Sequence, residues 1–190
     1  GEREILPKRE DMPLEPISPY AVSKLAAENY MSSFFRMYGL KTASLRYFNV
    51  YGPHQIASPY SGVIAIFISR TLQNQPLIIF GDGKQTRDFT FVQDVVNANI
   101  LAVKKDNAIG QVFNLGSGIQ TSILDLAHKV LELCDKSDLE IQFQPLRAGD
   151  VLHSFADIER AKTLLEYTPQ FDLNKGIIET ISWFQQEGFE

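Results

Sequence analysis

The order of elements legible in these 190 residues predicts an α/β fold. Two observations carry that expectation. A long helical stretch closed by Gly39 runs straight into the β-branched and aromatic segment LKTASLRYFNVYG, and short apolar runs such as LIIF and QVFNL then alternate with further helical patterns. The length suits one domain of ordinary size or slightly more, enough to bury a real core.

Each element has a local reason. Residues 1–18 carry Pro7, Pro13 and Pro16 among mixed charges, which predicts an extended surface segment. Ser18 is a good N-cap and Pro19 fits the first helical position, so the first helix is expected over 19–38, with Gly39 as its left-handed cap. LKTASLRYFNVYG reads as one buried strand with a functional tail. Beyond Gly52-Pro53 a polar loop extends to about Gly62, and VIAIFISRTLQN reads as a helix that stops before Pro76. LIIF is a short strand, Asp82-Gly83 a turn, and TRDFTFV a second strand on its far side. Helix is expected again over 92–105 and strand over 111–115. Thr121 or Ser122 then caps a helix to about Cys134, IQFQPL is extended, and 157–166 and 174–186 close the chain as helices.

Composition excludes several functions. Eighteen basic residues against twenty-three acidic ones leave a net charge of -5, which disfavours nucleic acid and anionic membranes as partners. The longest apolar run, Val63 to Ile68, is six residues, against about 20 needed to span a bilayer. A lone Cys134 permits no internal disulfide, and the scattered His54, His128 and His153 have no metal-ligand spacing. The expectation is a reducing compartment, no metal and, with no basic-then-apolar leader in view, a cytoplasmic protein.

Chemistry is most legible in Tyr20-Ala21-Val22-Ser23-Lys24. Residues four apart on a helix share a face, and a fixed, buried ammonium beside a phenol favours its ionised, proton-accepting form. The same spacing also describes a core tyrosine with a snorkelling lysine. Further segments decide between them. Ser18-Pro19-Tyr20-Ala21-Val22-Ser23-Lys24 is followed by Leu45-Arg46-Tyr47-Phe48-Asn49-Val50-Tyr51-Gly52-Pro53, by Phe80-Gly81-Asp82-Gly83 with Gln85-Thr86-Arg87-Asp88-Phe89, by Phe113-Asn114-Leu115-Gly116-Ser117-Gly118, and by Arg147-Ala148-Gly149-Asp150. In this order, over nearly the whole chain, these segments resemble the extended short-chain dehydrogenase/reductase family, and within it the nucleotide-sugar epimerases and dehydratases.

The resemblance implies the C-terminal part of a doubly wound, Rossmann-like parallel sheet plus a smaller mixed α/β lobe that binds the nucleotide sugar. Residues 1–56 would be the remnant of the NAD-binding domain with the Tyr-Lys helix, and 57–190 mainly the substrate lobe, with some segments returning to the sheet. Family members begin with a strand, a Gly-rich turn and a helix that hold the NAD pyrophosphate, and no such turn precedes Tyr20. Gly116-Ser117-Gly118 lacks the third glycine of a dinucleotide fingerprint, Thr121 standing there, and reads as a tight turn into a capped helix.

Carried over residue by residue, the resemblance makes Tyr20 the general base and acid and Lys24 the holder of the nicotinamide ribose. Tyr47 and Phe48 would line the nicotinamide, and Asn49 would bond a substrate phosphate. Read alone, Arg87 is a surface ion pair; the resemblance makes it and Arg147 grips on the pyrophosphate, with Asp150 on ribose hydroxyls and the main chain of Ile78 and Phe80 beside the base. The implied activity is NAD-dependent epimerisation of a UDP-sugar at C4 by a homodimer. A 4,6-dehydratase and a non-catalytic sugar-nucleotide-binding fragment remain open alternatives.

Overall fold

A computed structural model describes residues 5–56, 62–147 and 151–187. The α/β expectation holds: three parallel strand pairs and one antiparallel pair are packed among helices.

Helix α1 (Pro19–Tyr38) begins on Ser18, whose Oγ accepts from Ala21 N at 3.1 Å, and ends on Gly39 in the left-handed region. The predicted single strand after it is divided into β1 (Ser44–Tyr47) and β2 (Asn49–Tyr51). Successive residues of a strand send their N–H groups to opposite edges. Phe48 N therefore completes the ladder to Leu115 O, while Asn49 N opens a new one to Asp88 O. Strand β1 pairs in parallel with β6 (Val112–Leu115), and β2 in parallel with β5 (Phe89–Phe91).

Helix α2 (Val63–Leu72) ends near the predicted place, and β3 (Leu77–Phe80) follows. The expected second strand over TRDFTFV is corrected. It is β4 (Thr86–Arg87) and β5, interrupted at Asp88, and neither pairs with β3. Strand β3 instead pairs in parallel with the distant β8 (Ile141–Gln144), and β4 antiparallel with β7 (Thr121–Ser122). Helices α3 (Val92–Lys104), α4 (Ile123–Leu133) and α6 (Leu173–Glu187) match their expected places, whereas α5 is shorter than predicted, Glu159–Leu165. Ser122 rather than Thr121 caps α4, accepting from Asp125 N.

Two apolar cores result. One joins α2, β3, α4 and α6 around Phe67, Leu126, Ile177 and Phe184. The other joins β1, α3, β6 and α5 around Phe113, Leu115, Leu165 and Tyr167. The segment before α1 is tied to the second core: Lys8 bridges Ala156, and Asn114 donates from Nδ2 to Lys8 O and from its N–H to Glu10 Oε1.

Helix α1 buries none of its residues. Polar contacts and a ring are among its ties to the rest of the fold. Arg46 of β1 makes a two-point contact with Glu28, Nε to Oε2 at 2.8 Å and Nη2 to Oε1 at 2.7 Å, and Thr42 Oγ1 donates to Met31 O. Phe35 lies against Gly110, where φ is +72° and a Cβ would overlap the ring.

Candidate active site

Where β1 ends, exposed side chains gather, as expected at the carboxyl ends of parallel strands. Tyr47 is 49% exposed, and its hydroxyl donates to Asn99 Oδ1 of α3 at 3.0 Å. Phe48 is half-buried against the second core, and Asn49 is exposed.

On α1 the fold brings Tyr20 and Lys24 together, with Lys24 Nζ 5.2 Å from the centre of the Tyr20 ring. Tyr20 is 71% exposed and Lys24 is exposed as well, which corrects the expectation of a buried lysine. The cause is the helix itself, whose residues all retain contact with solvent. Two other phenols are poor candidates for proton transfer. Burial, with Asp172 and Asp94 near Tyr51 and with Asp94 and Asp88 near Tyr167, pushes both hydroxyls far above the ordinary phenol range. Tyr167 is engaged as a donor to Gly116 O at 3.1 Å.

The candidate phosphate grips are Arg87 and Arg147. Arg87 Nη1 donates to Thr86 O at 2.8 Å and to Leu152 O at 3.3 Å, so backbone carbonyls orient the guanidinium. The guanidinium of Arg147 stacks on Phe80, 3.8 Å from the ring centre. Such a face-on contact leaves the edge of the fork open to an anion. Leu77 N and Gly81 N bond to Glu140 O and Gln144 O on the β8 side, so Ile78 and Phe80 turn their backbone groups to the opposite edge. There Gln85 Nε2 donates to Phe80 O at 2.6 Å. Asp150 lies outside the described residues.

Gly116-Ser117-Gly118 holds an anion of the protein itself. The fully buried Asp88 carboxylate accepts from Ser117 N and Ser117 Oγ on Oδ1, both at 2.7 Å, and from Gly118 N and Ala156 N on Oδ2, at 3.0 and 3.1 Å. A Cβ on Gly116 would run into Asp88 Oδ2. The turn reading is therefore right, and its glycine is required by the approach of that carboxylate.

Sequence reasoning gave no role to Asp88, Glu28 or the histidines. His153 Nδ1 lies 2.9 Å from Thr86 Oγ1, which also receives Gln120 Nε2 at 2.6 Å, and the His54 ring packs 5.2 Å from that of Trp183. These partners are remote in sequence, and no local pattern announces them. No group of three or more His, Cys, Asp or Glu side chains suited to a metal occurs among the described residues. No helix of the described residues is long and apolar enough to cross a membrane.

The architecture is that of a Rossmann-type α/β protein carrying a Tyr-x-x-x-Lys helix beside a parallel sheet. Residues 1–116 match the NAD dependent epimerase/dehydratase family. A UDP-glucose 4-epimerase of Mycolicibacterium smegmatis is 39% identical over 181 residues, 95% of this chain and 57% of that protein. The crystal structure of UDP-glucose 4-epimerase from Thermotoga maritima with UDP-glucose superposes with a TM-score of 0.86 at 42% identity, covering 91% of this chain and 55% of that one. A UDP-N-acetylglucosamine 4-epimerase from Methanobrevibacter ruminantium in complex with UDP-N-acetylmuramic acid gives a TM-score of 0.93 at 37% identity, covering 98% and 60%. The chain belongs to the NAD dependent epimerase/dehydratase family. It spans little more than half the length of these relatives.

Proposed function

We propose that the intact protein is an NAD-dependent nucleotide-sugar 4-epimerase acting on a UDP-hexose. The observation that carries this reading is the Tyr20–Lys24 pair on α1, in a chain whose matched relatives are named for 4-epimerisation of UDP-sugars. Residues 1–56 and the strands that return to β1 would belong to the NAD-binding domain, and most of 57–190 to the substrate lobe.

The residues fit a nicotinamide cofactor. Tyr20 and Lys24 on α1 are an exposed phenol and ammonium, and Tyr47 at the end of β1 is an exposed aromatic ring followed by the half-buried Phe48. In this reading Lys24 donates to ribose hydroxyls, and Tyr47 and Phe48 line the ring. NAD supplies a hydride acceptor that is regenerated in each turnover. Tyr20 takes the proton from the sugar's C4 hydroxyl as that carbon is oxidised, and returns it when the 4-keto sugar has turned its other face. Arg87, Arg147 and Asn49 hold the pyrophosphate, Asp150 the ribose of the nucleotide, and the backbone of Ile78 and Phe80 the base. The substrate's two phosphates supply the anion that two guanidinium groups favour.

The same reading includes a homodimer, supported by Tyr30, Phe34, Met37 and Tyr38, which stand exposed on α1. It also includes a cytoplasmic location, supported by the free thiol of Cys134. The test is conversion of UDP-glucose to UDP-galactose by the intact protein with bound NAD and no net NADH. Release of a 4-keto-6-deoxy sugar, or binding of UDP-sugar without turnover, would overturn it.

A further inference from the structure

The geometry points to Asp88 as the positioning residue for the substrate-binding groups, an internal carboxylate that sets the spacing of Asn49, Arg87 and the segment after residue 151; this inference rests on the proposed role of Asn49 and Arg87 toward UDP.

Asp88 sits where three parts of the candidate site meet. Its carbonyl accepts the N–H of Asn49 at 3.0 Å, which starts the β2–β5 ladder and fixes where Asn49 leaves the sheet. Its preceding residue is Arg87, whose guanidinium donates to Leu152 O. Its side chain binds Ala156 N and the turn at Ser117 and Gly118. Thr86, one residue further back, donates its N–H to Leu152 O and accepts from Ser154 N. Both strand β4 and the Asp88 carboxylate therefore bind the 152–156 segment.

The carboxylate form is required by the donor count. Oδ1 and Oδ2 each receive two hydrogen bonds, three of the four from backbone N–H groups and one from a hydroxyl. An amide at this position would turn its NH2 toward at least one of those N–H groups, donor against donor, whichever way it is flipped. Four neutral donors can hold a buried carboxylate without a cation, much as a turn of successive N–H groups holds a phosphate. Here the protein fills that turn with its own anion, so Gly116-Ser117-Gly118 is a structural joint of the substrate lobe.

A positioning role and a merely structural one are separated by the affinity of the folded protein. The test compares UDP and NAD binding by calorimetry in the intact protein for the parent, Arg87→Gln, Asp88→Asn and the milder Ser117→Ala, which removes one of the four bonds. Active-site concentration is normalised to the folded fraction. The expected result is that Asp88→Asn weakens UDP binding by on the order of ten- to a hundredfold, as displaced binding groups do. Ser117→Ala should weaken it by less, and NAD affinity should stay the same in both. A UDP affinity unchanged in folded Asp88→Asn and Ser117→Ala, with Arg87→Gln impaired, would overturn the positioning role and leave the UDP reading intact. Failure of the parent to bind UDP would overturn both. Should Asp88→Asn not fold, Ser117→Ala decides: unaltered UDP affinity in that variant counts against the proposal.

Discussion

Replacing Glu28 by Gln tests what holds α1 in place. No residue of the helix is fully buried, and its two-point contact with Arg46 is a strong polar tie between it and β1. The two side chains are only 17% and 22% exposed, so water screens the pair weakly. Gln has nearly the helix propensity of Glu. The change therefore reports the lost charge and the amide N–H that now faces a guanidinium N–H. Hydrogen bonds to charged groups are worth about 1.5–3 kcal/mol, and one of the two is lost while Arg46 keeps its bond to Glu10 O. A cost of about 2 kcal/mol follows, or roughly 4–8 °C in Tm for a chain of this size. Urea unfolding should be followed both by far-UV circular dichroism and by the fluorescence of Trp183, the one tryptophan, which packs beside Phe184 in the α2–α4–α6 core. If α1 loosens independently, ellipticity falls at lower urea than fluorescence. Stability within about 0.5 kcal/mol of the parent by both probes, the range of ordinary surface changes, would refute the assignment of this ion pair as the tether.

Other expectations follow from single positions. Tyr20→Phe in the intact protein should lower kcat by at least about a hundredfold while leaving NAD bound, measured by turnover and by cofactor content after purification; undiminished turnover would remove Tyr20 from the proton transfer. Gly110→Ala should destabilise by about 1–2 kcal/mol from its left-handed backbone alone, and by more because the new Cβ meets the Phe35 ring, with a lowered denaturation midpoint as the readout. Cys134 should be nearly inert when native: burial, with Asp135 adding and Lys136 opposing, pushes its thiol up to about 11. At pH 8 roughly one molecule in a thousand then carries the thiolate, so disulfide-exchange labelling should be far slower native than denatured. The sign for stability follows, because the unfolded thiol ionises near 9 while the folded one stays protonated to about 11, and stability is lost as pH rises through that window.

Much of the local structure is written in short range. Ser18, Pro19 and Gly39 bound α1 as their conformational preferences dictate, and Ser122 starts α4 by accepting from a backbone N–H three residues on. Tyr20 and Lys24 meet because an α-helix brings residues four apart onto one face. The order of motifs is likewise a property of the chain alone, and it sufficed to indicate the family.

Tertiary structure decided which strands pair and what fills each turn. Nothing near TRDFTFV tells that Thr86 and Arg87 pair with Thr121 and Ser122 while Phe89 to Phe91 pair with β2, because a strand's edges are equivalent until distant partners are in place. The same holds for side chains that find partners across the fold: Glu28 with Arg46, Arg147 on Phe80, and His153 at Thr86. Asp88 is the clearest case. A carboxylate between an arginine and an apolar strand reads as a surface charge, and only the convergence of Ser117, Gly118 and Ala156 supplies the donors that allow it to be buried.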